Sequence, residues 1–165
     1  MSTVTLLIGG NQGDRHALIA QATELIRQRI GSVVALSSLF ESEPWGDFED
    51  QPQFFLNQAL QVETPLTATA VLHEALGIEK ELGRVRNTGD SGFDGSTGEA
   101  RLYHSRPMDI DLIFYDDVVM DTPELTLPHP RMHLRRFVLE PLAEIISDYR
   151  HPVLGKTIKE LLSEL

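Results

Sequence analysis

Two carboxylates alternate with apolar side chains in Met108-Asp109-Ile110-Asp111-Leu112, and the run continues without a break through Ile113, Phe114 and Tyr115. Alternation at period two is the signature of a β-strand. It places Asp109 and Asp111 on one face and Met108, Ile110 and Leu112 on the other. Like charges held that close repel unless something positive lies between them. Ligands that are all oxygen favour Mg²⁺ over zinc. The alternative is a strand whose solvated face happens to carry two acids.

The chain has 165 residues with 41% apolar content, which predicts a single domain over 1–165 with a real core. No apolar run approaches the roughly 20 residues that cross a bilayer. The N-terminal segment lacks the basic region and apolar core of a signal peptide, so the expected compartment is the cytoplasm. A net charge of −11 argues against a nucleic-acid or anionic-membrane partner, because sequence-independent binding to either rests on basic surface. The arginines are nevertheless clustered, at Arg84, Arg86, Arg101 and Arg106 and again at Arg131, Arg135 and Arg136. Local arginine in an acidic protein suits a compact anion such as a nucleotide.

Along the chain, residues 3–8 read as a buried strand, and the turn from Gly9 to Asp14 delivers a helix with Asp14 as its N-cap. That helix buries Leu18, Ala22, Leu25 and Ile26 and ends at Gly31. A strand over 33–42 follows, then an acidic loop with Pro44 and Pro52, then a strand over 54–63. The second helix spans about 67–82, with Val71, Leu72, Ala75, Leu76 and Leu82 buried and Gly83 as its stop. The glycine-containing stretch 87–105 reads as a long irregular loop, either disordered or a functional lid. After the acidic strand, Asp116-Asp117 predicts a hairpin turn into Val118–Met120. A helix over 131–146 and a last one opened by Thr157 and Glu160 complete the order. The pattern β-α-β-β-α-β predicts an α+β, ferredoxin-like core, its helices on one face of a mostly antiparallel sheet, with a short hairpin and C-terminal helices added. Such an architecture hosts many activities.

No Walker A, G-x-G-x-x-G, G-x-S-x-G or H-E-x-x-H motif occurs. Six segments instead appear in a characteristic order. They are Gly9-Gly10-Asn11, Asp50-Gln51-Pro52-x-Phe54-Phe55-Leu56-Asn57, Gly83-Arg84-Val85-Arg86, Arg106-x-x-Asp109-Ile110-Asp111, Leu125-Thr126-Leu127-Pro128-His129 and Arg135-Arg136-Phe137-Val138-Leu139. From about residue 4 to residue 145 the chain closely resembles the 6-hydroxymethyl-7,8-dihydropterin pyrophosphokinases of folate biosynthesis.

The resemblance implies Mg²⁺-dependent transfer of a pyrophosphoryl group from ATP to the hydroxymethyl oxygen of a reduced pterin, with AMP released. It makes Asp109 and Asp111 ligands to two Mg²⁺ ions and Arg84 and Arg106 phosphate clamps, these four forming the catalytic set. Glu79, Arg86, Leu112, Thr126, His129 and Arg135 fall at nucleotide positions. Ser42, Glu43, Pro44, Trp45, Phe55, Asn57, Tyr103 and Phe137 fall at pterin positions, with Phe55 and Phe137 sandwiching the ring. Gly10, Glu43, Tyr103 and Pro130 depart from commoner family residues, and 87–105 is longer than in compact members. The expected protein is a monomer acting on small molecules. Two competing readings are the same Mg-ATP chemistry on a related pterin-like alcohol, and a non-catalytic ferredoxin-like ligand-binding module.

Overall fold

The computed structural model describes residues 1–42, 54–84 and 107–165. Its elements are β1 (Ser2–Gly10), α1 (Arg15–Arg29), β2 (Ser32–Leu36), β3 (Phe40–Ser42), β4 (Phe55–Thr64), α2 (Ala68–Arg84), β5 (Asp109–Tyr115), β6 (Met120–Asp121), β7 (Thr126–Leu127), α3 (Arg136–Ile146) and α4 (Ile158–Ser163). A 3-10 turn over Met132–Leu134 precedes α3. The main sheet runs β2-β4-β1-β5, with β3 also on β4, and every pairing is antiparallel. This is the expected ferredoxin-like α+β arrangement.

Local chemistry sets the element ends. The Asp14 carboxylate accepts from the Ala17 N–H at 3.1 Å and caps α1. Gly31 follows the end of α1, for a tertiary reason: a Cβ there would lie 2.0 Å from the Glu63 carbonyl oxygen on β4. The Thr157 and Glu160 side chains form the reciprocal capping box that opens α4.

The sheet separates two cores. Val4, Leu6 and Ile8 of β1, Leu56 and Leu60 of β4, and Ile110 and Leu112 of β5 face α1 and α2. Leu7, Ala59, Ile113 and Phe114 face Val138, Leu139 and Leu142 of α3 and Ile158 and Leu161 of α4. Only the two helices of the ferredoxin core share a face; the C-terminal pair covers the other. On α2, Ile78 is fully buried whereas Leu76 is half exposed, which corrects the stripe read from spacing. Gly83 does not stop α2, which reaches Arg84.

Three further boundaries differ from the reading by periodicity. The strand expected over 33–42 is two pieces on the same edge of β4. Ser37 bridges the break, its N–H donating to the Ala59 carbonyl and its Oγ accepting from the Ala59 N–H, both at 2.9 Å. Asp116-Asp117 does turn the chain, but Met120–Asp121 pairs with Thr126–Leu127 and not with β5. The helix expected over 131–146 is interrupted at Arg135, whose extended backbone (φ −124°, ψ 112°) separates the 3-10 turn from α3.

Candidate active site

The acidic strand has the geometry that alternation predicts at its N-terminal end. Asp109 and Asp111 are half-buried and flank the buried Ile110. Gly9 of β1 lies in register between Asn57 of β4 and Asp109 of β5. Leu7, Ala59 and Asp111 form the neighbouring row. The face that packs under α3 and α4 therefore grades from polar groups at one end to apolar core at the other.

Gly9 leaves room for its neighbour. A Cβ there would stand 2.5 Å from Asn57 Oδ1 and 2.3 Å from the Leu56 carbonyl oxygen. The Asn57 amide occupies that space, buried, and its Nδ2 donates to Ser42 Oγ at 3.2 Å. Phe55 lies two residues before Asn57, so its half-exposed ring leaves the same face. Phe137, in the first turn of α3, is half-buried at the margin of the core below. The Arg135 guanidinium lies 5.8 Å from the centre of its ring, within cation–π range.

Glu79 reaches the site from α2. Its Oε2 accepts the Ile110 N–H at 2.6 Å, fixing the peptide between the two aspartates. Among the described residues β5 ends the sheet, and this N–H points off its outer edge. Burial pushes the Glu79 carboxyl up to about 8; the Ile110 N–H opposes the shift, and the charges of Asp109 and Asp111 and a hydrogen bond to Asp109 add to it.

A bulge shapes the rest of β5. Leu6 pairs with Leu112 and Thr5 with Phe114, leaving Ile113 as the extra residue. Its carbonyl accepts the His129 backbone N–H at 3.0 Å, which ties the Leu127–Pro130 segment to the strand. His129 Nδ1 accepts from the Arg131 N–H at 3.3 Å, so the ring proton sits on Nε2. Burial first, then the charge of Arg135, lowers the His129 pKa, against the opposing charge of Asp109, and so favours the neutral ring with its N–H.

Asp109, Asp111, Glu79, His129, Arg135, Phe55, Asn57, Ser42 and Phe137 thus belong to one end of the sheet and the elements packed against it. Two nucleotide positions fit less directly. The Leu112 side chain is buried in the core on the α1 and α2 side, which leaves its main chain to face a nucleotide. By alternation, its peptide groups point off the same outer edge as those of Ile110. Thr126 Oγ1 donates to Asp121 Oδ1 at 3.1 Å within the small sheet. Glu43, Pro44, Trp45, Arg86, Tyr103, Arg106, the Arg84 side chain and the expected 87–105 lid lie outside the described residues.

The donor set fits magnesium. A Mg²⁺ that serves a nucleotide takes one or two carboxylates and completes its octahedron with phosphate oxygens and water. Two half-buried aspartates on one strand face supply that share. Among the described residues no group of three or more His, Asp or Glu forms an all-protein cage.

A mixed sheet-and-helix domain that gathers paired aspartates, an aromatic-flanked amide and basic groups at one sheet end defines a class of nucleotide-using transferase. Comparison with known proteins identifies which. Residues 5–147 match the model of the 7,8-dihydro-6-hydroxymethylpterin-pyrophosphokinase family, and the chain belongs to it.

Relatives named 2-amino-4-hydroxy-6-hydroxymethyldihydropteridine pyrophosphokinase include one from Porphyromonas gingivalis, 38% identical over 92% of this chain and 95% of its own length. Another, from Methylorubrum extorquens, is 36% identical over all of this chain and 94% of its own. A crystal structure of Plasmodium falciparum HPPK-DHPS superposes with a TM-score of 0.70 at 16% identity. It covers 99% of this chain and 43% of that one, and shows the shared fold. As a family member the chain is an ATP-dependent diphosphotransferase.

One contributor carried no signal in the sequence. The Ile113 carbonyl is a main-chain group exposed by a bulge inside an unbroken apolar run. Gly9 stood out as a motif residue, but its role depends on a neighbouring strand.

Proposed function

We propose that the chain moves the β,γ-pyrophosphoryl group of ATP to the hydroxymethyl oxygen of 6-hydroxymethyl-7,8-dihydropterin, a step of folate biosynthesis. The alcohol oxygen forms a bond to the β-phosphorus and gives up its hydroxyl proton to solvent, the bond from that phosphorus to the α,β-bridging oxygen breaks, and AMP leaves with that oxygen. The observation that carries this reading is the common strand face of Asp109, Asp111 and Asn57, with Phe137 on the helix that covers it. It joins an anion-handling corner to a flat, hydrogen-bonding slot.

Reactions of this kind ask the protein for positioning and for neutralised charge. Asp109 and Asp111 would hold the two Mg²⁺ ions, and bound metal would supply charge neutralisation to the triphosphate and its reacting phosphorus. Glu79 holds the strand between the two aspartates. The Nε2–H of His129 and the Arg135 guanidinium donate to phosphate oxygens, and Arg84, Arg86 and Arg106 are assigned the same task from the family motifs. Phe55 and Phe137 stack on the pterin, and Asn57, steadied by Ser42, meets its paired donor and acceptor edge. Glu43, Pro44, Trp45 and Tyr103 complete that pocket, Thr126 and the Leu112 main chain the nucleotide side.

The protein works as a single domain and a monomer, in the cytoplasm, and no described helix is long and apolar enough to cross a membrane. Family membership favours this reaction over a non-catalytic module or another alcohol. The test is to supply ATP, Mg²⁺ and the reduced pterin and to measure AMP, which should form only when the pterin is present. AMP formation indifferent to the pterin would overturn the reading.

A further inference from the structure

Arg15 opens α1, where a positive charge opposes the helix dipole and the Asp14 cap is the acidic group beside it. Its side chain is nonetheless only 16% exposed. Nη1 donates to the Phe54 carbonyl at 2.8 Å and meets Glu41 Oε2 at 3.3 Å. These two partners bracket the end of the β3–β4 ladder, where Ser42 pairs with Phe55 and Glu41 with Leu56. β3 has three residues, and short terminal rungs open most readily. Arg15 thus joins the first turn of α1, itself held by the Asp14 cap, to the peptide preceding Phe55.

We infer that Arg15 is a positioning residue for the pterin pocket: by holding the Phe54 carbonyl it fixes where β4 begins, and so where Phe55 and Asn57 project. Arg15 does not itself reach the substrate. Leu56, between Phe55 and Asn57, is buried on the α1 side, and Arg15 acts from that side of the sheet. The inference rests on the functional reading above only for the identity of the substrate.

The experiment compares Arg15→Ala, Arg15→Lys and Glu41→Gln with Arg29→Ala. Arg29 makes a comparable surface ion pair, with Glu81 at 2.6 Å, between α1 and α2. Steady-state kinetics is paired with calorimetric binding of 6-hydroxymethylpterin in the presence of a non-hydrolysable ATP analogue and Mg²⁺.

Arg15→Ala should raise the pterin KM and Kd about 10-fold or more while kcat and the ATP KM stay within about twofold. Arg15→Lys, which keeps one donor, should fall between, Glu41→Gln should change pterin affinity less than threefold, and Arg29→Ala should leave it unchanged. A merely structural role would lower the amount of active protein, and so apparent kcat, in both arginine variants alike. Unchanged pterin affinity in Arg15→Ala, an equal loss in Arg29→Ala, or an equal rise in the ATP KM would overturn the inference. Should Arg15→Ala fail to fold, Arg15→Lys carries the same comparison. Unvaried protein that binds the pterin yet makes no AMP would count against the functional reading and leave the binding comparison intact.

Discussion

The backbone N–H of His129 donates to the carbonyl of Ile113 at 3.0 Å, and that carbonyl belongs to the one residue the β5 bulge leaves over. An irregularity in the acidic strand thereby docks the segment that delivers His129. Because the anchor is main chain, His129→Ala should keep it. The variant should fold with a melting temperature within a few degrees of the parent. It should lose about 1.5–3 kcal/mol of transition-state stabilisation, the scale of a hydrogen bond to a charged group, in kcat/KM for ATP. A collapsed melting temperature would show instead that the imidazole is a structural group.

Asp109→Ala and Asp111→Ala should each lower kcat by ~10²-fold or more, the scale for removing a preorganised charge-stabilising group. Neither residue is core, and each truncation relieves like-charge repulsion, so thermal stability without ligands should hold or rise slightly. Near-normal Mg²⁺-dependent turnover in both variants would remove the metal assignment.

Phe137→Ala should weaken pterin binding by about 1–3 kcal/mol, read as a higher pterin KM, the range for an aromatic stacked on a heterocycle, with the ATP KM little altered. Phe137→Tyr, which keeps the π-face, should remain close to the parent. If alanine and tyrosine behave alike, the ring is packing for α3 and contributes no stacking.

Gly9→Ala places a methyl group against the Leu56 carbonyl and the Asn57 amide. It should cost about 1–3 kcal/mol of stability by overpacking and weaken pterin binding as well, which paired urea titration and calorimetry will measure. Normal pterin affinity in a destabilised variant would dissociate Asn57 from the substrate.

His151 supplies a pH dependence away from the site. Its Nδ1 accepts from the Val153 and Leu154 N–H groups at 3.1 and 3.0 Å, and its ring meets Phe114 edge-on at 5.7 Å. Burial, with a smaller contribution from His133, lowers its pKa below the ordinary 6.5. The unfolded chain therefore takes up the proton first. The stabilisation is complete above pH 6.5 and is lost as pH falls from there through the depressed folded value. His129, also lowered, has the same sign. Urea unfolding at pH 7.5 and 5.5 should show a smaller loss on acidification in His151→Asn than in the parent. Identical losses would exclude His151 as a contributor.

The alternation in 108–112 was enough to place both aspartates on one face, and spacing alone located α1, α2 and the capped α4. The bulge could not be read, because Leu112, Ile113 and Phe114 are all apolar and erase the period that would reveal a slip. The break at Ser37 depends on a side chain substituting for ladder groups of another strand. The pairing of β6 with β7 was hidden because Asp116-Asp117 is a sound turn signal that does not specify which strand the chain joins next. Nothing in the sequence singles out Arg15, since its partners lie 26 and 39 residues away.

The sheet keeps its two sides for different purposes. Leu6, Ile8, Leu56, Ile110 and Leu112 pack against α1 and α2, while the groups assigned to ligands leave the opposite surface or the outer edge of β5. Residues of the first kind can be exchanged to harden the protein against heat without redrawing the substrate slot. Residues near the start of α3 can be varied to admit other planar alcohols without disturbing that hidden layer. Thermal tolerance and ligand choice are thus separable engineering problems in this chain, divided by the thickness of one β-sheet.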